Sequence, residues 1–180
     1  MRKAHGHSPV WGGGGQYDWA RAAETAGNLV LDINPGILVI TEGLEYAGTV
    51  EGARERPLQL SSQAQLVYSG HMYPFWWDST LPYPDFSQRV TDRQTFVRES
   101  GHQYSAAYWM GEFGTGEDSQ EWERILRLVE EQDLDWAYWS IDGYKYPGED
   151  ESFGLLEADY VTVRHPWLVE QLQRIIPILS

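Results

Sequence analysis

The chain has 180 residues, of which 42% are hydrophobic and 22% are charged, so a folded domain is expected and a disordered chain is not. The formal net charge of -14 argues against binding to nucleic acid or to an anionic membrane surface, because both require clustered Lys and Arg. The absence of cysteine excludes disulfides and thiolate chemistry. No apolar run is long enough to span a bilayer, and the N-terminus lacks the apolar core of a signal peptide, which leaves the compartment undetermined and export open.

Aromatic residues are unusually frequent, with 9 Trp and 11 Tyr. Their side chains combine a broad apolar face with a polar tip, which suits a ligand that is apolar on one face and hydroxylated at its edge. Sugars fit that description. The alternative is that these residues form a Trp-rich core or an oligomer interface.

The first half of the chain predicts one helix and two strands. The glycine run 12–15 is expected to be a loop, and it lacks the Gly-Lys-Ser/Thr that ends a phosphate-binding loop. Asp18 is expected to cap a helix over 19–27 that stops at Gly27-Asn28. Continuous apolar runs are typical of parallel strands covered on both faces, and they predict strands over 37–41 and 65–69.

The second half alternates helices with strands. Helices are predicted over 93–102, over 119–132 and from Pro166 onward, and strands over 106–110 and 135–140. The helix over 119–132 is the clearest of these, because its apolar residues recur on one face, and Asp118 with Glu121 resembles a capping box. This alternation indicates an α/β fold with a parallel sheet, built as a single domain over residues 1–180.

Polar or aromatic residues follow each predicted strand, at 41–43, 70–73, 111–114 and 139–143. In such folds the ligand site lies at the carboxyl ends of the strands. Glu112 is the sharpest candidate, because Gly111 and Gly114 on either side allow close approach to the backbone. Its carboxylate could attack the anomeric carbon of a sugar. The alternative is a glutamate that pairs with an arginine or caps the next helix.

The order of several short motifs resembles glycoside hydrolase family 5 from about Trp11 to the last helix. The motifs are Trp11-Gly-Gly-Gly, Asp18-Trp19-Ala20, Ala22-Ala23, Gly27-Asn28, Asn34-Pro35, Thr41-Glu42-Gly43, His71-Met72-Tyr73, Gly111-Glu112-Phe113-Gly114 and Trp136-Ala137-Tyr138-Trp139. The resemblance implies a (β/α)8 barrel that cleaves β-linked glucosides, mannosides and related glycans with retention of configuration. It also implies that neither a metal nor a cofactor is needed.

The resemblance assigns a role to individual residues. Glu112, at the end of barrel strand seven, is implied to be the nucleophile. His71 and Tyr73 match the His-x-Tyr after strand six, where the histidine contacts substrate and the tyrosine hydrogen-bonds the nucleophile. The substrate contacts that it implies or suggests are His71, Trp139, Trp76 and Glu42, and no catalytic step is assigned to Glu42. The alternatives are that His71 is only a hydrogen-bonded histidine at a strand end and that Trp139 belongs to the core.

The chain is expected to form half a barrel. A complete (β/α)8 barrel needs ~250 residues, whereas this chain has room for strands five to eight. The acid/base of the family lies in an Asn-Glu pair after strand four, and no Asn-Glu dipeptide occurs in this sequence. Without that acid, natural glycans are expected to be poor substrates, while substrates with good leaving groups would still react slowly.

Self-association could complete the barrel. The expected edges of the half barrel, 37–41 and 136–140, are apolar, and open edges of this kind seek partners. Two copies related by a two-fold axis would close eight strands. Asp142, just past the last strand, would then approach the position of the missing acid as a surrogate, with Glu42 as the next candidate.

The sequence therefore predicts a glycoside hydrolase that acts on β-linked glucosides or β-glycans. One alternative is a non-catalytic sugar-binding or interaction module derived from a glycosidase barrel. Another is a fragment that folds only by self-association.

Overall fold

The computed structural model describes residues 7–146 and 148–176. Its helices and strands, in chain order, are α1 Trp19–Ile33, β1 Val39–Glu42, α2 Leu44–Ala47, β2 Leu66–Met72, α3 Tyr83–Arg93, β3 Ala107–Phe113, α4 Gln120–Gln132, β4 Asp135–Tyr138, β5 Tyr144–Tyr146, β6 Glu149–Asp150 and α5 Pro166–Arg174. None of the helices within these residues is long and apolar enough to cross a lipid bilayer.

Four strands form one sheet in the order β1-β2-β3-β4, so β1 and β4 are its outer strands. β1 and β2 run parallel, with Val39 opposite Leu66 and Glu42 opposite Ser69. The predicted α/β fold with a parallel sheet is confirmed. The antiparallel hairpin of β5 and β6, in the segment that follows β4, was not predicted.

The chain divides into two compact units. The first comprises Met1–His71 and Gln88–Gly111, and the second comprises Met72–Ser87 and Glu112–Ser180. Each unit has buried apolar side chains of its own, such as Leu58, Phe96 and Met110 in the first and Phe113 and Trp122 in the second.

In the first unit, α1 is longer than predicted. Asp18 caps it as expected, accepting a hydrogen bond from the Arg21 backbone N–H at 3.0 Å. The prediction that the helix stops at Gly27 is wrong, because α1 continues to Ile33. A Cβ atom at Gly27 would lie 2.9 Å from a Leu60 methyl carbon and 3.1 Å from one of Val39. This glycine therefore permits close packing and does not end the helix.

The helix predicted over 93–102 is also misplaced. Helix α3 ends at Arg93, and a short 3-10 turn, Thr95–Arg98, follows it. Asp85 in the first turn and Arg93 in the last turn complement the helix dipole, which favours these earlier bounds. The turn is held by its burial, since Phe96 and Val97 are inaccessible to solvent.

In the second unit, α4 has the predicted amphipathic character, burying Trp122, Ile125, Leu126 and Val129. Its cap differs from the prediction. The Ser119 hydroxyl accepts the hydrogen bond from the Trp122 backbone N–H at 3.2 Å, whereas Asp118 accepts one from the Gln171 side chain at 3.0 Å. A serine directly before the helix can reach its free N–H groups, so the cap lies one residue later than expected.

Candidate active site

Glu112 is the last residue but one of β3 and lies within the second unit. The Tyr73 hydroxyl, which follows the end of β2, donates a hydrogen bond to Oε1 of Glu112. Burial raises the pKa of the Tyr73 hydroxyl, and the hydrogen bond to the Glu112 carboxylate raises it further. The phenol therefore stays protonated and acts as a neutral donor to the carboxylate.

Three aromatic rings surround Tyr73. Phe75 and Phe153 stack on it with ring centroids 5.3 and 5.7 Å away, and Trp76 meets it edge-on at 5.3 Å. Trp76 was proposed from the sequence as a substrate contact, and its side chain is partly exposed. Phe75 and Phe153 were not singled out, although the high aromatic content was the available indication of such a surface.

Trp139 follows β4 in the second unit. Its backbone N–H donates to the carbonyl of Phe113 at 2.8 Å, which holds it beside the residue that follows Glu112. A Cβ atom at Gly114 would lie 2.0 Å from the Trp139 carbonyl oxygen, so only glycine allows this approach. The Trp139 side chain is 47% exposed and is therefore available to a ligand, not a core residue.

His71 and Glu42 lie together in the first unit. Parallel pairing of β1 with β2 brings their ends together, with the Gly43 N–H donating to the Ser69 carbonyl at 3.2 Å. Nε2 of His71 lies 3.3 Å from Oε1 of Glu42, and the Glu42 side chain is 58% exposed. The indole N–H of Trp19 donates to the Glu42 carbonyl at 2.8 Å and fixes the end of the strand. This arrangement suits contacts to a hydroxylated ligand.

A buried glutamine supports His71 from the core of the first unit. The Gln94 amide donates to the carbonyl oxygens of His71 and Gly48, both at 3.1 Å, and its Oε1 accepts from the Tyr108 hydroxyl at 2.6 Å. A Cβ atom at Gly70 would lie 2.5 Å from the Gln94 Oε1. Sequence reasoning missed Gln94, because its role depends on contacts with residues far away in the chain.

Asp142, the predicted surrogate acid, is held within its own loop. The Ser140 hydroxyl lies within hydrogen-bonding distance of the Asp142 carbonyl (3.0 Å) and of Oδ1 (3.3 Å), and the Tyr160 hydroxyl donates to Oδ2 at 3.2 Å. Among residues 7–146 and 148–176, no group of three or more His, Asp or Glu side chains could hold a metal ion. The second unit brings together the Glu112 carboxylate, the Tyr73 phenol and exposed aromatic rings.

Comparison with known proteins identifies relatives of this chain. The family model described as cellulase (glycosyl hydrolase family 5) matches residues 4–145. A glycosyl hydrolase 5 family protein from Chamaecyparis obtusa is 29% identical over 177 residues, which cover 87% of this chain and 32% of the relative. An endoglucanase from Paenibacillus polymyxa is 29% identical, covering 98% of this chain and 48% of the relative.

Solved structures share the fold. An endocellulase from Pyrococcus horikoshii in complex with cellotetraose superposes with a TM-score of 0.76 at 22% identity, over 96% of this chain and 52% of that one. A β-glucanase from Saccharophagus degradans gives a TM-score of 0.69 at 13% identity, over 96% of this chain and 50% of the other. The chain therefore spans about half the length of these structures and half or less of the curated relatives described above.

Proposed function

Because the chain belongs to glycosyl hydrolase family 5, we propose that it is a glycoside hydrolase acting on β-linked glucans by a retaining mechanism with Glu112 as the nucleophile. The observation that carries this proposal is the hydrogen bond from Tyr73 to the Glu112 carboxylate at the end of β3. The endoglucanase and endocellulase names of the relatives support β-glucans as the substrate class.

In the first step, Glu112 attacks the anomeric carbon of the sugar. A bond forms between this carbon and Glu112, the bond to the leaving-group oxygen breaks, and its electron pair departs with that oxygen. The Tyr73 hydroxyl orients the carboxylate before attack. In the second step, water attacks the same carbon from the opposite face, the carboxylate is released, and the proton of the water passes to solvent or to a base.

We also propose that this chain lacks the usual acid/base residue of the family. The sequence contains no Asn-Glu dipeptide, and the leaving group of a natural glycan needs a proton as its bond breaks. Another residue or another subunit would have to supply it, and Asp142 and Glu42 remain the candidates from this chain. Substrates whose leaving groups are stable as anions would react without that proton.

The decisive test traps the glycosyl-enzyme. The chain is incubated with a 2-deoxy-2-fluoro-β-cellobioside that carries a dinitrophenolate leaving group, and its intact mass is measured. We expect the mass to rise by one fluorocellobiosyl group and peptide mapping to place the label on Glu112. Because this leaving group needs no acid catalysis, the trap works even where turnover is slow.

The variants Glu112→Gln and Glu130→Gln complete this test. Glu112→Gln should show no labelling. It should also release nitrophenol from an aryl β-cellobioside at least ~1,000-fold more slowly, because the groups that support a nucleophile contribute little once the nucleophile is removed. Glu130→Gln, the same change at an exposed position of α4, should behave as the parent chain. Labelling at another carboxylate would contradict the assignment of Glu112.

We further propose that a second copy of the chain completes the barrel. β1 and β4 are the outer strands of the sheet. Along β1 and the adjoining α1, large apolar side chains are exposed, namely Leu29, Val30, Ile33, Ile37, Leu38 and Ile40. Such a patch beside an edge strand favours association, which opposes the repulsion expected from the net charge of -14.

Sedimentation velocity at micromolar concentration tests this proposal. We expect a species of twice 20.7 kDa that dissociates in Ile40→Lys, whose charge would have to be buried at the interface. Val161→Lys, at an exposed position of the second unit, should leave the dimer intact. If the parent chain sediments as a monomer, both the proposed dimer and the surrogate role of Asp142 in it are excluded.

A non-catalytic sugar-binding module is the second candidate function, favoured by the exposed rings of Phe75 and Trp139. Glycan binding without any covalent labelling, and unchanged in Glu112→Gln, would support it over the hydrolase.

A further inference from the structure

The hydroxyl of Tyr138, the last residue of β4, joins two loops of the second unit. It lies 2.8 Å from the Phe153 carbonyl oxygen and 3.0 Å from that of Thr115, and it accepts from the Thr115 backbone N–H at 3.3 Å. A phenol has one proton to donate, and the Phe153 oxygen is the nearer of the two acceptors. One side chain thus connects the segment that follows β3 with the segment that follows β6.

The ring of Tyr138 is held by packing that does not involve its hydroxyl. It meets the rings of Phe113 and Trp122 edge-on, with centroids 5.8 and 6.2 Å away, and both of these neighbours are buried. Burial also raises the pKa of the Tyr138 hydroxyl, which therefore stays protonated and remains a donor. Replacement by phenylalanine should accordingly remove the hydrogen bonds and leave the ring in place.

The hydrogen bonds of Phe153 differ in their reach. Its own N–H donates at 3.3 Å to Oε1 of Glu151, only two residues earlier, so this bond moves together with the segment. The bond from the Tyr138 hydroxyl instead comes from a strand of the sheet, 15 residues earlier in the chain. It is therefore suited to fixing the position of Phe153 relative to β4.

Phe153 in turn packs on the donor to Glu112. Its ring stacks on Tyr73 with the centroids 5.7 Å apart and the planes inclined by 28°, and the Tyr73 hydroxyl donates to the Glu112 carboxylate. Tyr73 is only 6% exposed, so its neighbours and not solvent determine where its ring lies. Because close-packed interiors transmit small displacements, a shift of Phe153 is expected to change the position of the Tyr73 hydroxyl.

We propose that Tyr138 is a positioning residue whose hydroxyl holds Phe153 against Tyr73 and thereby sets the hydrogen bond from Tyr73 to Glu112. The effect on catalysis rests on the proposed function, whereas the effect on the hydrogen bond rests on the packing alone. If the Tyr138 hydroxyl served stability only, its removal would lower the resistance of the chain to unfolding and leave the hydrogen bond to Glu112 as it is.

Nuclear magnetic resonance of the chain with tyrosines labelled by carbon-13 at the ζ-carbon tests the hydrogen bond directly. The Tyr73 signal is assigned by its loss in Tyr73→Phe. We expect this signal to move upfield in Tyr138→Phe, because a phenol that donates less strongly to a carboxylate has a more shielded ζ-carbon. Tyr83→Phe is the matched control, since it also removes a hydroxyl within the second unit, one that donates to Glu131 at 2.6 Å, and it should leave the Tyr73 signal in place.

The rate of covalent labelling of Glu112 tests the consequence for catalysis. With saturating 2-deoxy-2-fluoro-β-cellobioside, we expect Tyr138→Phe to be labelled about five- to tenfold more slowly, because a misplaced donor supports the nucleophile less well. The half-saturating concentration should change by less than about twofold, and Tyr83→Phe should match the parent chain in both quantities. In a Phe153→Leu background, adding Tyr138→Phe should slow labelling by less than about twofold further, since both changes act through the same contact.

An unchanged Tyr73 signal in folded Tyr138→Phe would overturn the positioning role, as would the full loss of labelling rate in the Phe153→Leu background. A higher half-saturating concentration at an unchanged rate would also overturn it, because that result indicates a role in binding. If Tyr138→Phe does not fold, Phe153→Leu decides the matter alone, since its Tyr73 signal must also move upfield. Failure of the proposed hydrolase is a separate result, because it appears as the absence of labelling in the parent chain and leaves the test on the Tyr73 signal intact.

Discussion

Glu112 and Glu42 each lie at or next to the end of a strand, yet their surroundings differ. Glu112 is partly buried and accepts a hydrogen bond from Tyr73, whose ring packs against Phe75 and Phe153. The side chain of Glu42 is 58% exposed, and its Oε1 lies 3.3 Å from Nε2 of His71. The two glutamates therefore share a position at a strand end, but they differ in their hydrogen-bonding partner and in their exposure to solvent.

This difference separates two chemical roles. A neutral phenol orients a carboxylate without cancelling its charge, and the raised pKa of Tyr73 keeps that phenol a donor wherever Glu112 is ionised. A solvated carboxylate beside an imidazole instead shares its acceptor oxygens with water and with the ring N–H, which weakens it as a nucleophile. The comparison supports our proposal that the partly buried glutamate is the nucleophile and that the exposed one contacts substrate.

Apart from the loss of Glu112, the largest effect that we predict comes from the hydrogen bonds by which Gln94 supports His71. Gln94→Met keeps the volume of the side chain but removes the acceptor of the Tyr108 hydroxyl and the amide that donates to two carbonyl oxygens. We expect the free energy of unfolding, measured by urea titration, to fall by about 3 kcal/mol. Gln88→Met, at an exposed position of α3, should change it by less than ~0.5 kcal/mol.

A double-mutant cycle with Tyr108→Phe sharpens this prediction. Burial raises the pKa of the Tyr108 hydroxyl, which therefore remains a hydrogen-bond donor to Gln94. The two changes together should cost less than the sum of the single changes, because they remove the same hydrogen bond. Full additivity would mean that Gln94 and Tyr108 act independently.

The next effect concerns the donor to Glu112. Tyr73→Phe removes the hydroxyl and retains the ring that packs on Phe75 and Phe153. We expect kcat/KM for an aryl β-cellobioside to fall about 10- to 100-fold, corresponding to ~1.5–3 kcal/mol for a hydrogen bond to a charged group, with KM little changed. A loss as large as that of Glu112→Gln would mean that the phenol takes part in bond breaking and does not only orient the carboxylate.

The sequence predicted the positions of these residues better than their environment. Apolar runs followed by polar residues located the strand ends, since that pattern follows from burial of a parallel sheet on both faces. The extent of α1 could not be predicted, because Gly27 is usually a stop signal and its packing against Leu60 and Val39 is a long-range contact. The same reason hid Gln94, and it also hid the packing of Phe153 on Tyr73, which lies 80 residues earlier in the chain.

The smallest effect is expected at the exposed glutamate. Glu42→Gln retains the shape of the side chain and removes a charge that water already screens, so the pair with His71 is worth less than about 1 kcal/mol. We expect KM for the aryl β-cellobioside to rise by no more than about fivefold and kcat to change by less than about twofold. If Glu42→Gln instead lowers kcat by about 100-fold for a cellulose oligosaccharide, while leaving the dinitrophenyl substrate unaffected, Glu42 is the missing proton donor. Its exposure to solvent would then be the feature that the second copy of the chain, or another partner, must remove.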